Sequence, residues 1–192
     1  MTLVGFSRAV IRILDDKPTA TEGENLFTIK GDQDKGATKT AQVSGLAIDP
    51  VKTWGSNRPY HISRKGVGEV KVEFAAIDIP LAYQHKLLGR RTKENMAVGG
   101  AETEAPECSL ALYADDARGQ EVGIGFFAGV FSLDAFDIST SDGKAAELAE
   151  DKLSYVPRAS DEESFDGDVY AIADSQEGLT SMTKNLKHIP AG

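Results

Sequence analysis

Between Gly66 and Gly89 the spacing of apolar residues changes from the period of a strand to that of a helix. Val70, Val72 and Phe74 alternate with Glu69, Lys71 and Glu73, which predicts a strand with one wet side. Asp78 then suits a helix N-cap, Pro80 its first turn and Gly89 its left-handed stop. Leu81, His85 and Leu88 fall on one helical face with Leu87 beside it. A half-buried strand therefore hands directly to one short amphipathic helix, over about residues 78–88, that lies against a β-sheet. No catalytic group is needed to account for this stretch.

The remainder of the chain supplies that sheet. Leu3–Leu14 alternates with Ala9, Ile11 and Ile13 on one face and Arg8, Val10 and Arg12 on a wet face. A polar linker over 15–25 leads to a short strand at 26–30 and a turn at Gly31–Gly36. Ala37–Ile48 alternates again, with Ala41 and Val43 opposed to Thr40, Gln42 and Ser44. Asp49–Tyr60, rich in turn formers and holding the only tryptophan, reads as a long hairpin tip, with His61–Arg64 returning. Arg90–Pro106 reads as an irregular excursion. Glu107–Tyr113 and Gln120–Leu133 form a hairpin around Asp116–Gly119, and the second of these strands is apolar on both faces, against its own core and a neighbouring subunit. A helical turn is expected at Gly143–Glu150, strands at Lys152–Arg158 and Val169–Ala173, and an acidic loop between them. Leu179, Met182, Leu186 and Ile189 recur at helical spacing. The expected class is mainly β, a sandwich or barrel with one flanking helix. It forms a single domain over 1–192, with an N-terminal arm at 1–25 and a C-terminal arm at 175–192.

Composition excludes several roles. One cysteine, Cys108, in an alternating strand pattern, excludes an intramolecular disulfide framework and reads as a small core residue. Arg8 and Arg12 interrupt the only apolar stretch near the N-terminus, so no signal peptide is expected. No apolar run approaches the roughly 18 residues of a membrane span. Residues 1–100 carry 15 Lys and Arg against 11 Asp and Glu, whereas residues 101–192 carry 6 against 19. Such an acidic chain does not grip nucleic acid non-specifically, and its two halves suit head-to-tail self-association unless they interleave in space.

Catalytic and metal signatures are missing from the sequence. His61, His85 and His188 are scattered, and none lies at a ligand spacing from another donor. Asp32 and Asp34 open a calcium-loop pattern that fails at Ala37 and Val43. Gly123-Ile124-Gly125-Phe126-Phe127-Ala128 has the letters of a dinucleotide fingerprint, but more strand follows it instead of a helix start. The expectation is a protein that is not an enzyme, with no cofactor and no metal site.

Several stretches, in order, resemble the major tail protein of long-tailed bacteriophages, the subunit of the tail tube. They are Gly36–Leu46, Trp54–Phe74, Ile77–Gly89, Gly125–Thr140 and Asp151–Ser160. The Gly-Ser-Asn of the hairpin, the Lys-Gly-x-Gly-x-Val-Lys-Val strand and the helix ending Leu-Leu-Gly are the most specific part. The resemblance implies a β-sandwich-like virion subunit forming hexameric rings, which stack through long loops around a channel for DNA ejection. It implies tail terminator and tail tip proteins as partners, no membrane, and synthesis in the host cytoplasm. On this picture Val51, Lys52, Trp54, Asn57 and Arg58 belong to the ring-stacking loop. Thr40, Gln42 and Ser44, with Glu121 and Asp151 at strand starts, face the lumen, where DNA slides without specific binding. The alternatives are the tube subunit of a contractile tail or tail-derived secretion system, a head decoration protein, and a β-sandwich carbohydrate-binding module. The last normally displays exposed aromatics for sugar stacking.

Overall fold

The computed structural model describes residues 2–17, 19–136 and 150–189, and in it the alternating segments are strands. β1 (Leu3–Ile13), β2 (Leu26–Ile29) and β3 (Ala37–Ser44) precede β4 (Val51–Gly55), β5 (Arg58–Ser63) and β6 (Lys71–Ile77). Helix α1 (Leu81–Leu87) leads to β7 (Arg91–Lys93) and β8 (Met96–Val98). Then come β9 (Cys108–Asp116), β10 (Glu121–Phe126), β11 (Ala128–Ser132), β12 (Glu150–Arg158), β13 (Tyr170–Ala173) and α2 (Gln176–Asn185). The helical turn expected at Gly143–Glu150 lies outside the described residues, except for Glu150, which opens β12.

A five-stranded sheet, β13-β10-β9-β1-β2, faces a four-stranded sheet, β11-β12-β6-β3. All of their pairings are antiparallel. Ile11, Phe27, Phe74, Leu110, Phe126, Phe131 and Tyr155 fill the space between them. Each such side chain contributes about 1.5–3 kcal/mol by leaving water. The result is a sandwich of open sheets and not a closed barrel, as the mainly β reading anticipated in its first form.

The chain changes sheets at Phe127. Phe126 pairs with Leu110 while Val130 bridges Glu107, so the β10–β11 side carries one residue more than β9 over this span. That extra residue is a bulge, and it sends successive side chains to opposite sides. Phe126 enters the core between the sheets. Phe127 enters a second cluster on the outer side of the five-stranded sheet, stacked on Phe165 at 4.8 Å. Leu179, Met182 and Leu186 of the C-terminal segment cover this second cluster, while Ile189 stays 56% exposed. The doubly apolar strand is therefore buried on its second face by the chain's own helix and needs no neighbouring subunit.

The same covering corrects the expected wet face of β1. Arg12 is only 2% exposed. Its guanidinium donates to the carbonyls of Lys187 and Lys17, both at 2.8 Å, and lies 3.5 Å from Asp15. An alternating pattern assigns arginine to water, but a planar fork of donors is equally satisfied by the carbonyls of a chain laid across it.

The helix begins at Leu81, three residues after Asp78, and ends at Leu87. Its N-cap is Pro80, without a side-chain cap, and Asp78 sits in the left-handed region with φ 57°. A carboxylate from elsewhere tends this turn, because Asp151 of β12 accepts the Ile79 N–H at 3.0 Å. Gly89 stops the helix with φ 63°, as its sequence position predicts. Leu81 is exposed, and Gln84 takes the inward place, donating to the Ile79 carbonyl at 3.2 Å. The excursion at Arg90–Pro106 is not wholly irregular, since β7 and β8 pair across Glu94 and Asn95.

Candidate assembly surface

Two strands leave the sandwich altogether. β4 and β5, in the segment expected as a long hairpin tip and its return, form an antiparallel ribbon that pairs with neither main sheet. Ser56 and Asn57 turn it with φ 50° and 60°, the doubly left-handed geometry whose twist matches paired strands. Every residue of both strands except Gly55 is exposed. Trp54 is 64% and Tyr60 82% exposed. Lys52, Arg58, Arg64 and Lys65 have no carboxylate within ion-pair distance among the described residues. Val51, Lys52, Trp54, Asn57 and Arg58 thus all lie on this one projection.

The ribbon's neck is made by two glycines. At Gly45, with φ 73°, a side chain would run into the Glu69 carbonyl. At Gly68 it would stand 2.7 Å from the Gly45 carbonyl oxygen. Backbones can cross this closely only where no Cβ intervenes. This accounts physically for Gly68, one of the most specific letters of the resemblance.

The ribbon springs from one end of the four-stranded sheet, where Ser44 pairs with Lys71. Along this sheet's exposed face, Gln42, Glu73, Ser154 and Ser132 make one cross-strand row, and Thr40, Ala75 and Lys152 another. The outer strands β3 and β11 run in opposite directions, since each successive pairing is antiparallel. Thr40, Gln42 and Ser44 share the exposed face of β3. Glu121 stands on the other sheet, 3.1 Å from Arg8, whose guanidinium lies 4.1 Å over the Tyr113 ring. Asp151 is turned to the Ile79 amide. The fold brings the first three together and leaves the other two elsewhere.

A family model described as phage tail tube protein matches residues 1–192. The chain belongs to the phage tail tube protein family. A comparison with curated proteins finds no match. Membership makes it a structural protein of the virion tail, and the exposed ribbon and sheet face are the surfaces to consider for assembly. No described helix is long and apolar enough to cross a membrane.

Of the groups that resemble chemical machinery in this tail tube protein, His188 and Cys108 are buried in its packing. His61 is exposed on β5, and His85 lies 3.5 Å from the Arg90 guanidinium. His188 is buried, with Nε2 2.9 Å from Ser109 Oγ, and the serine hydroxyl donates onward to the Leu186 carbonyl at 2.8 Å. That commitment makes Nε2 the protonated nitrogen, and Nδ1 has no partner. Burial, with Arg12 nearby, holds the imidazole pKa down at about 3. Cys108 is fully buried, and burial pushes its thiol up to about 12. Among the described residues no cluster of three or more potential donors could hold a metal.

Two features escaped sequence reading. Arg158 grips Glu107 with two bonds, at 2.5 and 2.9 Å, and Asp161 at 2.7 Å. It thereby ties β12 to the start of β9 and to the acidic loop, and holds the Glu107 carboxyl below its ordinary range. The second is a groove of about 420 Å³ along the exposed face of the four-stranded sheet, roofed at one end by Leu133–Phe136. Its walls come from segments far apart in the chain, so no local pattern announces it.

Proposed function

We propose that this chain is the tail tube subunit of a long-tailed phage, made as a single domain in the host cytoplasm and assembled into hexameric rings. The rings stack into the channel through which DNA is ejected, with tail terminator and tail tip proteins at its two ends. The observation that carries this reading is the four-stranded sheet with oppositely directed outer strands. Placed side by side around a ring, β3 of one copy meets β11 of the next antiparallel, and closure removes the open edges. Thr40, Gln42 and Ser44 then face the lumen on a wall that is mostly neutral, with Lys71 and Lys152 set against Glu73 and Glu150. The ribbon bearing Trp54 joins one ring to the next.

Negative-stain microscopy of the concentrated protein tests this. Rings or tubes are expected from the wild type, and a folded subunit that fails to stack is expected on deletion of Val51–Arg58. Monodisperse monomers at every concentration would reject the reading, and normal tube growth by the deletion variant would reject the role of the ribbon.

A further inference from the structure

We propose that Glu22 is a specificity residue for assembly, whose carboxylate keeps the β2 edge of the five-stranded sheet from pairing with a strand of a second copy. The proposal rests on the tail tube reading for the correct contact between copies and adds the residue that excludes a wrong one.

Pairing with β1 fixes where the backbone groups of β2 point. Ile13 donates to the Asn25 carbonyl at 2.8 Å. By alternation Asn25, Phe27 and Ile29 then turn their amides and carbonyls toward β1, and Leu26 and Thr28 turn theirs away from it. Outward groups of this kind make an edge strand a template for another chain. Here they are occupied from within. Leu26 donates to the Thr21 carbonyl at 3.1 Å and accepts from the Gly23 amide at 2.8 Å. The Thr28 amide donates to Glu22 Oε1 at 2.9 Å, and the Thr28 hydroxyl to Glu22 Oε2 at 3.1 Å. A carboxylate thus stands where the carbonyl of an incoming strand would have to lie. Glu22 is exposed, so pairing at this edge would also bury its charge, which is costly.

The turn that presents Glu22 is pinned from inside. Asn25 is buried, and its Oδ1 accepts the Thr21 amide at 2.7 Å. Its Nδ2 donates to the Asp15 carboxylate at 3.0 Å and to the Thr19 carbonyl at 3.2 Å. From the other side, Lys86 of α1 donates to the Gly23 carbonyl at 2.7 Å.

Position makes this cover matter for assembly. β2 and β3 lie on one flank of the sandwich. The turn that joins them closes with the Gly31 amide on the Gly36 carbonyl at 2.9 Å, and Thr38 of β3 donates through Oγ1 to the Phe6 carbonyl of β1 at 3.0 Å. The opposite flank carries the edge strands β11 and β13. Where the two flanks of neighbouring copies meet, an arriving strand finds two edges side by side. β3 is the one used in the ring, and Glu22 closes the other.

Hydrogen exchange in the free subunit reads the cover directly. In Glu22→Ala the Thr28 amide should exchange about tenfold faster, with the Phe27 amide, which faces β1, unchanged. No change at Thr28, or an equal rise at both amides from fraying of the whole strand, would overturn the assignment. In assembly, E22A should divert protein from rings and tubes into clumps that scatter light and bind thioflavin. Adding Thr28→Pro removes the amide that an incoming strand would pair with, at an outward position where an edge strand tolerates proline, and should abolish the clumps. Assembly of E22A like that of the wild type, or clumps that persist in E22A/T28P, would equally sink the proposal. If the wild type forms neither rings nor tubes, the tail tube reading falls, while the exchange rate of Thr28 still decides what Glu22 covers.

Discussion

Gly125 of β10 lies directly beneath Leu186 at the end of α2, so that a Cβ on the glycine would stand 2.7 Å from the leucine Cδ1 and 2.8 Å from Met182 Sδ. Gly123 is covered in the same way by Met182 and Leu179. The glycines of the apparent dinucleotide fingerprint thus form a shallow notch into which a helix packs. Their spacing of two is that of one strand face.

Gly125→Val should wedge α2 away from the sheet. Overpacking of a closed contact costs about 1–3 kcal/mol, and the loss should appear as a lower urea midpoint. Limited proteolysis should cut within residues 176–189 before the sheets unfold. An unchanged midpoint with a protected C-terminus would show that α2 shifts freely to make room.

His188 makes stability depend on pH. Its pKa is about 3 in the folded protein and about 6.5 when unfolded, so the unfolded chain binds the proton more tightly. The stabilisation is complete above about pH 6.5 and is lost as pH falls from there toward 3, by up to about 1.4 kcal/mol per unit. Chemical denaturation at pH 7.5 and 5 should show the wild type weakened at the lower pH. His188→Gln should flatten that slope. Equal slopes in the two proteins would remove His188 as the cause.

Assembled tubes should not bind duplex DNA detectably at physiological salt. The exposed sheet face is mostly neutral, the chain carries net charge −9, and charges beyond about 8 Å are screened. Among the described residues the ribbon and its base carry Lys52, Arg58, Arg64 and Lys65 without a carboxylate partner, and on the tail tube reading stacking covers them. Filter binding or a mobility shift with tubes checks this. Tight, salt-sensitive binding would mean that Lys52, Arg58, Arg64 and Lys65 remain open to the channel.

Local pattern alone determined much of this protein. The alternation at Val70, Val72 and Phe74, the helix stop at Gly89 and the helical stripe at Leu179, Met182 and Leu186 all stand where spacing placed them, because each reflects the period of its own element. The tail tube family was legible as well, from many weak matches in order. Tertiary structure decided what those periods cannot encode. Arg12 is buried because the C-terminal segment, 175 residues away, brings it a carbonyl. Asp78 does not cap its helix, which begins at Leu81 behind Pro80, and Asp151 of a distant strand takes the Ile79 amide. The bulge at Phe127 exists only relative to β9, and the groove only where 40–75, 133–136 and 150–154 meet. Each depends on a contact between segments far apart in the chain, whose closure energy no local window contains.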